Sequence, residues 1–255
     1  MSLFNDNLKN IKLKNLAIVI IVIYLGLYVL GKFTFINEKW MYVIIIFYFV
    51  FKLRHCSGEF KEDLINVFSR IELKDILLIV FANIFFSYGM LYLSNGLVSQ
   101  FPSLNFLLEF SIPSMAIFPA LPILGSFIST VIISPISEEL IFRGVLFNRL
   151  KIITPTLFAV LISSLLFGAL HSFGSIFSAF VFAICMAILY IKTENICVPI
   201  LAHFLNNLFA EIIRMIDYNQ LLFTNDFLMI VVSVLAVVSF VILLSSIIEE
   251  LNKIN

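Results

Sequence analysis

Apolar stretches of about twenty residues recur along almost the whole chain, and this repetition constrains the fold more than any other feature. No lysine or arginine occurs between Lys74 and Arg143. The 255-residue chain is 62% hydrophobic and 13% charged, where a soluble domain is closer to half apolar and a quarter charged. A soluble fold of this size cannot bury that excess, so lipid must cover part of it. In lipid the backbone has to satisfy its own hydrogen bonds. The expected fold class is all-α, a polytopic transmembrane bundle of about eight spans with any active site inside it. Spans are expected at 16–30, 40–52, 75–94, 115–134 running on to 150, 155–172, 175–191, 196–215 and 226–247. Residues 95–114, with Asn95, Gly96, Pro102 and Pro113, read as a loop. The mixed-charge link from Lys52 to Lys74 has room for one amphipathic helix.

Formal net charge is zero, which argues against a nucleic-acid partner and leaves the bilayer as the general one. Basic residues set the expected orientation. With the amino terminus inside, the inner segments carry Lys9, Lys12, Lys14, Lys52, Arg54, Lys61, Arg70, Lys74, Arg143, Arg149, Lys151, Lys192 and Lys253. Only Lys32, Lys39 and Arg214 fall outside. Both termini are therefore expected in the cytoplasm. The basic start resembles a signal peptide, but no small-residue cleavage site follows, so the first span reads as uncleaved. No lipidation motif is visible at either end. Cys56, Cys185 and Cys197 match no metal or disulfide spacing and read as free thiols. Nothing in the sequence sets an oligomeric state.

Polar residues inside apolar helices carry the functional reading. Glu138 and Glu139 are adjacent, and Arg143 lies one helical turn after Glu139. Two readings are open. In one, Ser134 caps a helix with Pro135 at its first position, and 135–150 is an interfacial helix with solvated charges. In the other, 120–150 is one long helix kinked at Pro135 with the glutamates facing the bundle interior. There Arg143 would hold one glutamate ionised, and burial would make the other a better proton acceptor. His171 ends an apolar helix, with Phe167 one turn earlier. Alone it reads equally as a helix-end histidine. His203 and Asn207 share one face of a later helix. They read either as structural glue between helices or as donors aimed at a developing oxyanion. Asn206 points about 100° away and is the weaker candidate. His55 lies in a basic loop and reads as solvated, and Glu211 with Arg214 reads as a structural pair.

Glu138-Glu139-x-x-x-Arg143, Phe167-x-x-x-His171 and His203-x-x-x-Asn207, in this order on successive helices, resemble the CPBP family of CAAX prenyl endopeptidases and bacteriocin-processing or Abi proteins. The resemblance covers roughly residues 120–210. It implies an intramembrane endopeptidase whose catalytic core is 116–215, with membrane helices at 1–115 and 216–255. It implies that Glu138 and His171 activate a water, that His203 and Asn207 stabilise the oxyanion, and that Glu139, Arg143 and Phe167 support them. The family is filed as metalloprotease. A divalent metal such as zinc on Glu138, His171 and His203 is therefore one version of the site, and a metal-free glutamate site the other. The expected substrate is a peptide or lipidated protein tail: a CAAX-type tail, a bacteriocin precursor or a signalling peptide. A non-catalytic immunity or scaffold protein is the alternative. A transporter is disfavoured by the lack of inverted repeats. Counted by helical rise, His171 and His203 differ in depth by roughly 13 Å, a gap that a short or tilted helix would have to close.

Overall fold

The computed structural model describes residues 3–33, 40–69, 71, 73–101, 103 and 122–254. All regular structure among them is helical. A short amino-terminal helix α1 (Leu3–Asn10) precedes α2 (Leu13–Gly31) and α3 (Trp40–Leu53). A one-turn bend leads to α4 (Ser57–Ile65), then α5 (Leu73–Gln100). A long helix α6 occupies 122–153. It is followed by α7 (Thr156–Ala169), α8 (Ile176–Thr193), α9 (Cys197–Ile216), the single turn α10 (Leu221–Thr224) and α11 (Asp226–Ile254).

Each expected span has a helix, and the fold is a polytopic all-α bundle. Among the described residues, six helical stretches are long and apolar enough to cross a membrane: Leu13–Gly31, Trp40–Ile65, Leu73–Gln100, Leu124–Ile153, Phe173–Thr193 and Asp226–Lys253. Helix α7 is shorter, at 14 residues. Helix α9 is long, but it carries His203, Asn206, Asn207, Glu211 and Arg214. The outer helices leave large apolar side chains uncovered, such as Val22 on α2 and Val237 on α11. Lipid is the natural cover for such a surface. Helix α8 lies at the centre, with nearly every side chain from Ser178 to Tyr190 buried.

Two expectations change. Residues 95–100 continue α5 instead of opening a loop. One internal glycine, Gly96, costs only about 1 kcal/mol relative to alanine, and the packing of this helix along α11 outweighs that. The rest of the expected loop, from 104 on with Pro113, lies outside the described residues, as do Pro102, Lys39, Arg70 and the boundary at 115. The reading of 135–150 as a separate capped interfacial helix also fails. Backbone angles stay right-handed helical through Ser134 (φ −59°, ψ −53°), so α6 runs through Pro135. Proline lacks an N–H and crowds the preceding turn. The helix answers by widening to π geometry over Ser129–Ile133, just before it. A second π stretch spans Leu140–Phe147.

The link after α3 does hold one amphipathic helix, α4, and His55 there is exposed. All three cysteines are free and buried. Helix α1 is pinned to the same end of the bundle as α4 and the start of α9. Asn5 Nδ2 donates to Asp63 Oδ2 at 2.9 Å, and Ile196 N donates to Asn5 Oδ1 at 3.2 Å. Arg149 Nε donates to the Ile11 carbonyl at 2.9 Å.

Helices α7 and α8 form a tight hairpin through Gly168. A Cβ there would lie 2.8 Å from the Ile176 carbonyl oxygen and 3.1 Å from Phe180 Cβ. Gly168→Ala should lower stability by about 1–3 kcal/mol, the usual effect of overpacking. Gly26→Ala, whose methyl would meet nothing within 4 Å, should be neutral. Thermal unfolding of the two variants in detergent checks the contrast.

Candidate active site

The site is built on α6, where the α-helical segment Ser134–Glu139 meets the second π stretch. Glu139 has no exposed surface and Arg143 has 1%. Arg143 Nη1 donates to Glu139 Oε1 at 3.1 Å, and Nη2 donates to the Ala183 carbonyl on α8 at 2.9 Å. The guanidinium thus divides its fork between a carboxylate and a backbone carbonyl. It also lies over the Phe167 ring, 4.8 Å from the centroid. Arg143 is a buried site residue, so the inner loops carry one cation fewer than the sequence count assumed.

Glu139 has a second partner. His203 Nδ1 lies 2.8 Å from the same Oε1. A carboxylate already paired with a guanidinium accepts, so Nδ1 carries the proton. The other ring nitrogen, Nε2, is 3.9 Å from Glu138 Oε2. His203 therefore bridges the two glutamates, bonded to one and close to the other. Glu139 Oε2 is buried and has no hydrogen-bond partner. Glu138 itself receives a hydrogen bond from the Ser134 hydroxyl one turn back.

His171 follows the end of α7. Its Nδ1 is 2.9 Å from the Phe167 carbonyl oxygen. A carbonyl can only accept, so the proton sits on Nδ1 and the lone pair of a neutral ring is on Nε2. Both histidines, counted roughly 13 Å apart in depth by helical rise, pack against the Phe167 ring. Phe167 is the shared spacer. Its ring lies 4.8 Å from the His171 ring, 5.8 Å from the His203 ring and 5.1 Å from Phe142. Phe182 closes the other side of His203 at 5.4 Å.

Asn207 is held differently. Its Nδ2 donates to the Thr130 carbonyl at 2.9 Å, inside the first π stretch of α6. Its Oδ1 accepts from Asn206 Nδ2 at 3.2 Å, and Asn206 Oδ1 accepts from Asn83 Nδ2 at 2.9 Å. A string of three amides therefore crosses from α5 through α9 to α6. Asn206, ranked below Asn207 from the sequence, is its middle member. Asn83 went unnoticed, although a lone asparagine within an apolar helix is itself a signal. Asn148 was missed too. Its Nδ2 lies 3.0 and 2.9 Å from the Arg143 and Gly144 carbonyl oxygens and 3.0 Å from Tyr190 Oη, so two hydrogens are shared among three acceptors. Both carbonyls belong to the second π stretch. Glu211 and Arg214 pair as expected, away from the site.

Glu138, His171 and His203 do not form a ligand set as they stand. Among the described residues, no group of three His, Cys, Asp or Glu side chains is arranged to hold a metal ion. The Nδ1 of each histidine is already engaged, which leaves one nitrogen on each ring and the Glu138 carboxylate.

Residues 120–209 match the model of the family described as type II CAAX prenyl endopeptidase Rce1-like. This segment contains all three motifs, and the match bears out the resemblance drawn from them. Over 87 residues the chain is 40% identical to the "Putative membrane peptidase YdiL" of Bacillus subtilis (strain 168), covering 33% of this chain and 35% of that one. Over 104 residues it is 35% identical to the "Membrane-embedded CAAX protease MroQ" of Staphylococcus aureus (strain USA300), covering 38% and 41%. The chain thus spans about two fifths or less of the length of these curated relatives. No solved structure matches.

Arg143→Ala strands the Glu139 carboxylate in the bundle and should cost roughly 3–5 kcal/mol of stability. Arg143→Lys keeps a charge but loses the planar fork that reaches both Glu139 and Ala183, and should recover only part of it. Denaturation midpoints of the three proteins in one detergent give the comparison. Wild-type stability of Arg143→Ala would mean that the pair is not buried.

Proposed function

We propose, starting from the match of residues 120–209, that this chain is an intramembrane endopeptidase. It would hydrolyse a peptide bond in a membrane-associated peptide or protein tail. The observation that carries the reading is a buried histidine bridging two adjacent carboxylates, bonded to Glu139 and 3.9 Å from Glu138. A structural ion pair needs one carboxylate. Here the second carboxylate, Glu138, receives only the Ser134 hydroxyl among the described residues, while His171 keeps one ring nitrogen unused.

In this reading Glu138 takes a proton from a water that is also held by Nε2 of His171. The resulting hydroxide attacks the substrate carbonyl carbon, and the carbonyl oxygen becomes an oxyanion. His203 donates to it through Nε2, in the ring form protonated on both nitrogens, whose Nδ1–H is kept in place by Glu139. Asn207 has two amide hydrogens. One is used on Thr130, and the other is available to the oxyanion. Glu138 then returns its proton to the leaving amine as the C–N bond breaks. Arg143 and Phe167 hold the Glu139–His203 pair and the two imidazoles in register. The core is 116–215, and the helices of 1–115 and 216–255 flank it, although α5 reaches into it through Asn83. Both termini face the cytoplasm in this proposal, on the bias of basic residues in the loops.

Glu138→Gln keeps size and hydrogen bonding but removes the base. Turnover should fall by about 10²–10⁴ with substrate binding retained, measured on a peptide cleaved by the wild type in reconstituted vesicles. Asn207→Ala should lower it by about 10²–10³. Undiminished cleavage by Glu138→Gln would reject the peptidase mechanism and favour a binding protein. The mechanism is proposed without a metal, so chelation should leave the rate unchanged. A stoichiometric ion removed together with activity would instead make Glu138, His171 and His203 its ligands.

A further inference from the structure

A cavity of about 660 Å³ lies on the other side of α6 from Glu138. Its wall from α6 is Ile132, Ile136 and Leu140, which repeat every four residues and share one face. Glu138 is two residues from Ile136, about 200° around the α-helical segment, so the cavity is not the site described above. Helix α9 adds Phe204 among others, α3 adds Ile46 and Phe49, and α4 adds Phe60. Each long wall covers eight or nine residues, and the seven or eight rises between them give a depth of about 10–12 Å at 1.5 Å per residue. The volume falls in the range of small-molecule sites, roughly 300–1,000 Å³.

Its polarity is one-sided. Apart from a buried cysteine, the polar side chains lining it are Arg54 and Ser57, at the bend where α3 passes into α4. Among the described residues Arg54 has no carboxylate partner. Its guanidinium lies over the Phe51 ring at 4.4 Å and makes one long hydrogen bond, 3.5 Å, to the Phe51 carbonyl. Val50, Leu64 and Phe68 leave the cavity open to the bilayer, at 60, 57 and 53% exposure. Helix α4 carries Glu59 and Glu62 away from the cavity, and Lys61 on the same face as Ser57 and Leu64. This marks the bend as the level of the lipid headgroups.

We propose that this groove binds one anionic phospholipid, with an acyl chain between α3, α6 and α9 and the phosphate against Arg54 and Ser57. An open, apolar slot with an unpaired guanidinium at its headgroup end matches an amphiphile of that charge. A chain seated there braces α6 from behind without touching the glutamates. The inference does not depend on peptidase activity.

The test is native mass spectrometry of protein released from vesicles of equal dioleoylphosphatidylglycerol and dioleoylphosphatidylcholine. The wild type should retain one phosphatidylglycerol in preference to phosphatidylcholine by about tenfold, the scale of one charge-assisted contact. Arg54→Ala should retain both alike, and Arg54→Lys should keep most of the preference. Val50→Trp, which fills the slot, should retain neither. Circular dichroism and melting curves confirm that the variants are folded. Equal retention of the two lipids by the wild type overturns the proposal, as does a preference that survives Arg54→Ala. Displacement of the bound lipid by an apolar peptide would make the groove a peptide track and overturn it as well.

Discussion

A carboxylate with no exposed surface, Glu139, sits inside a bundle that is otherwise apolar, and the arrangement of the core helices follows from keeping it there. An unpaired buried charge costs several kcal/mol, and a paired one needs hydrogen bonds to offset its desolvation, which Glu139 receives at Oε1 alone. Helix α6 supplies Arg143 and α9 supplies His203. Arg143 in turn needs the Ala183 carbonyl of α8 and the Phe167 ring of α7. Four helices are therefore tied through one carboxyl oxygen. The tie also orients His203, since the bond at Nδ1 turns Nε2 toward Glu138.

The two π stretches make the geometry possible. Pro135 would break a regular helix. The widened turn before it absorbs the mismatch and leaves the Thr130 carbonyl for Asn207. The second widened stretch begins at Leu140, directly after the glutamates, and its carbonyls are capped by Asn148. Stretches of π-helix often occur at functional sites because they re-aim side chains without interrupting the helix. Here they bracket the two glutamates.

Much of this was legible in the sequence, for identifiable reasons. Lipid forces helices, so the apolar stretches became helices, six of them among the described residues long and apolar enough to cross a membrane. Ionic groups are rare in such stretches, so Glu138, Glu139, Arg143, His171 and His203 stood out against the background. Their convergence was less legible, because depth counted by helical rise assumes that every helix spans fully. His171, just past the end of α7, and His203 on α9 both lie against the Phe167 ring. Ser134 misled for a related reason. A serine before a proline is a good helix start, but its hydroxyl serves Glu138 one turn later in a continuous helix. The link from Asn83 spans 123 residues, and no local pattern can register it.

That amide string changes how Asn207 should be regarded. An asparagine acting alone in an apolar helix could rotate its amide plane and present either oxygen or nitrogen to its surroundings. Here the oxygen is occupied by Asn206, which is itself held from α5 by Asn83. One amide hydrogen is occupied by the Thr130 carbonyl. A single N–H is left, and its direction is set at both ends of the side chain. Such preorganisation is what an oxyanion donor requires, since a donor that must turn during the reaction loses much of its advantage. The helix supplying that restraint, α5, lies outside the 120–209 segment that matches the peptidase family. The amino-terminal half of the chain is therefore part of the site's construction, and 120–209 alone would leave Asn206 without its partner.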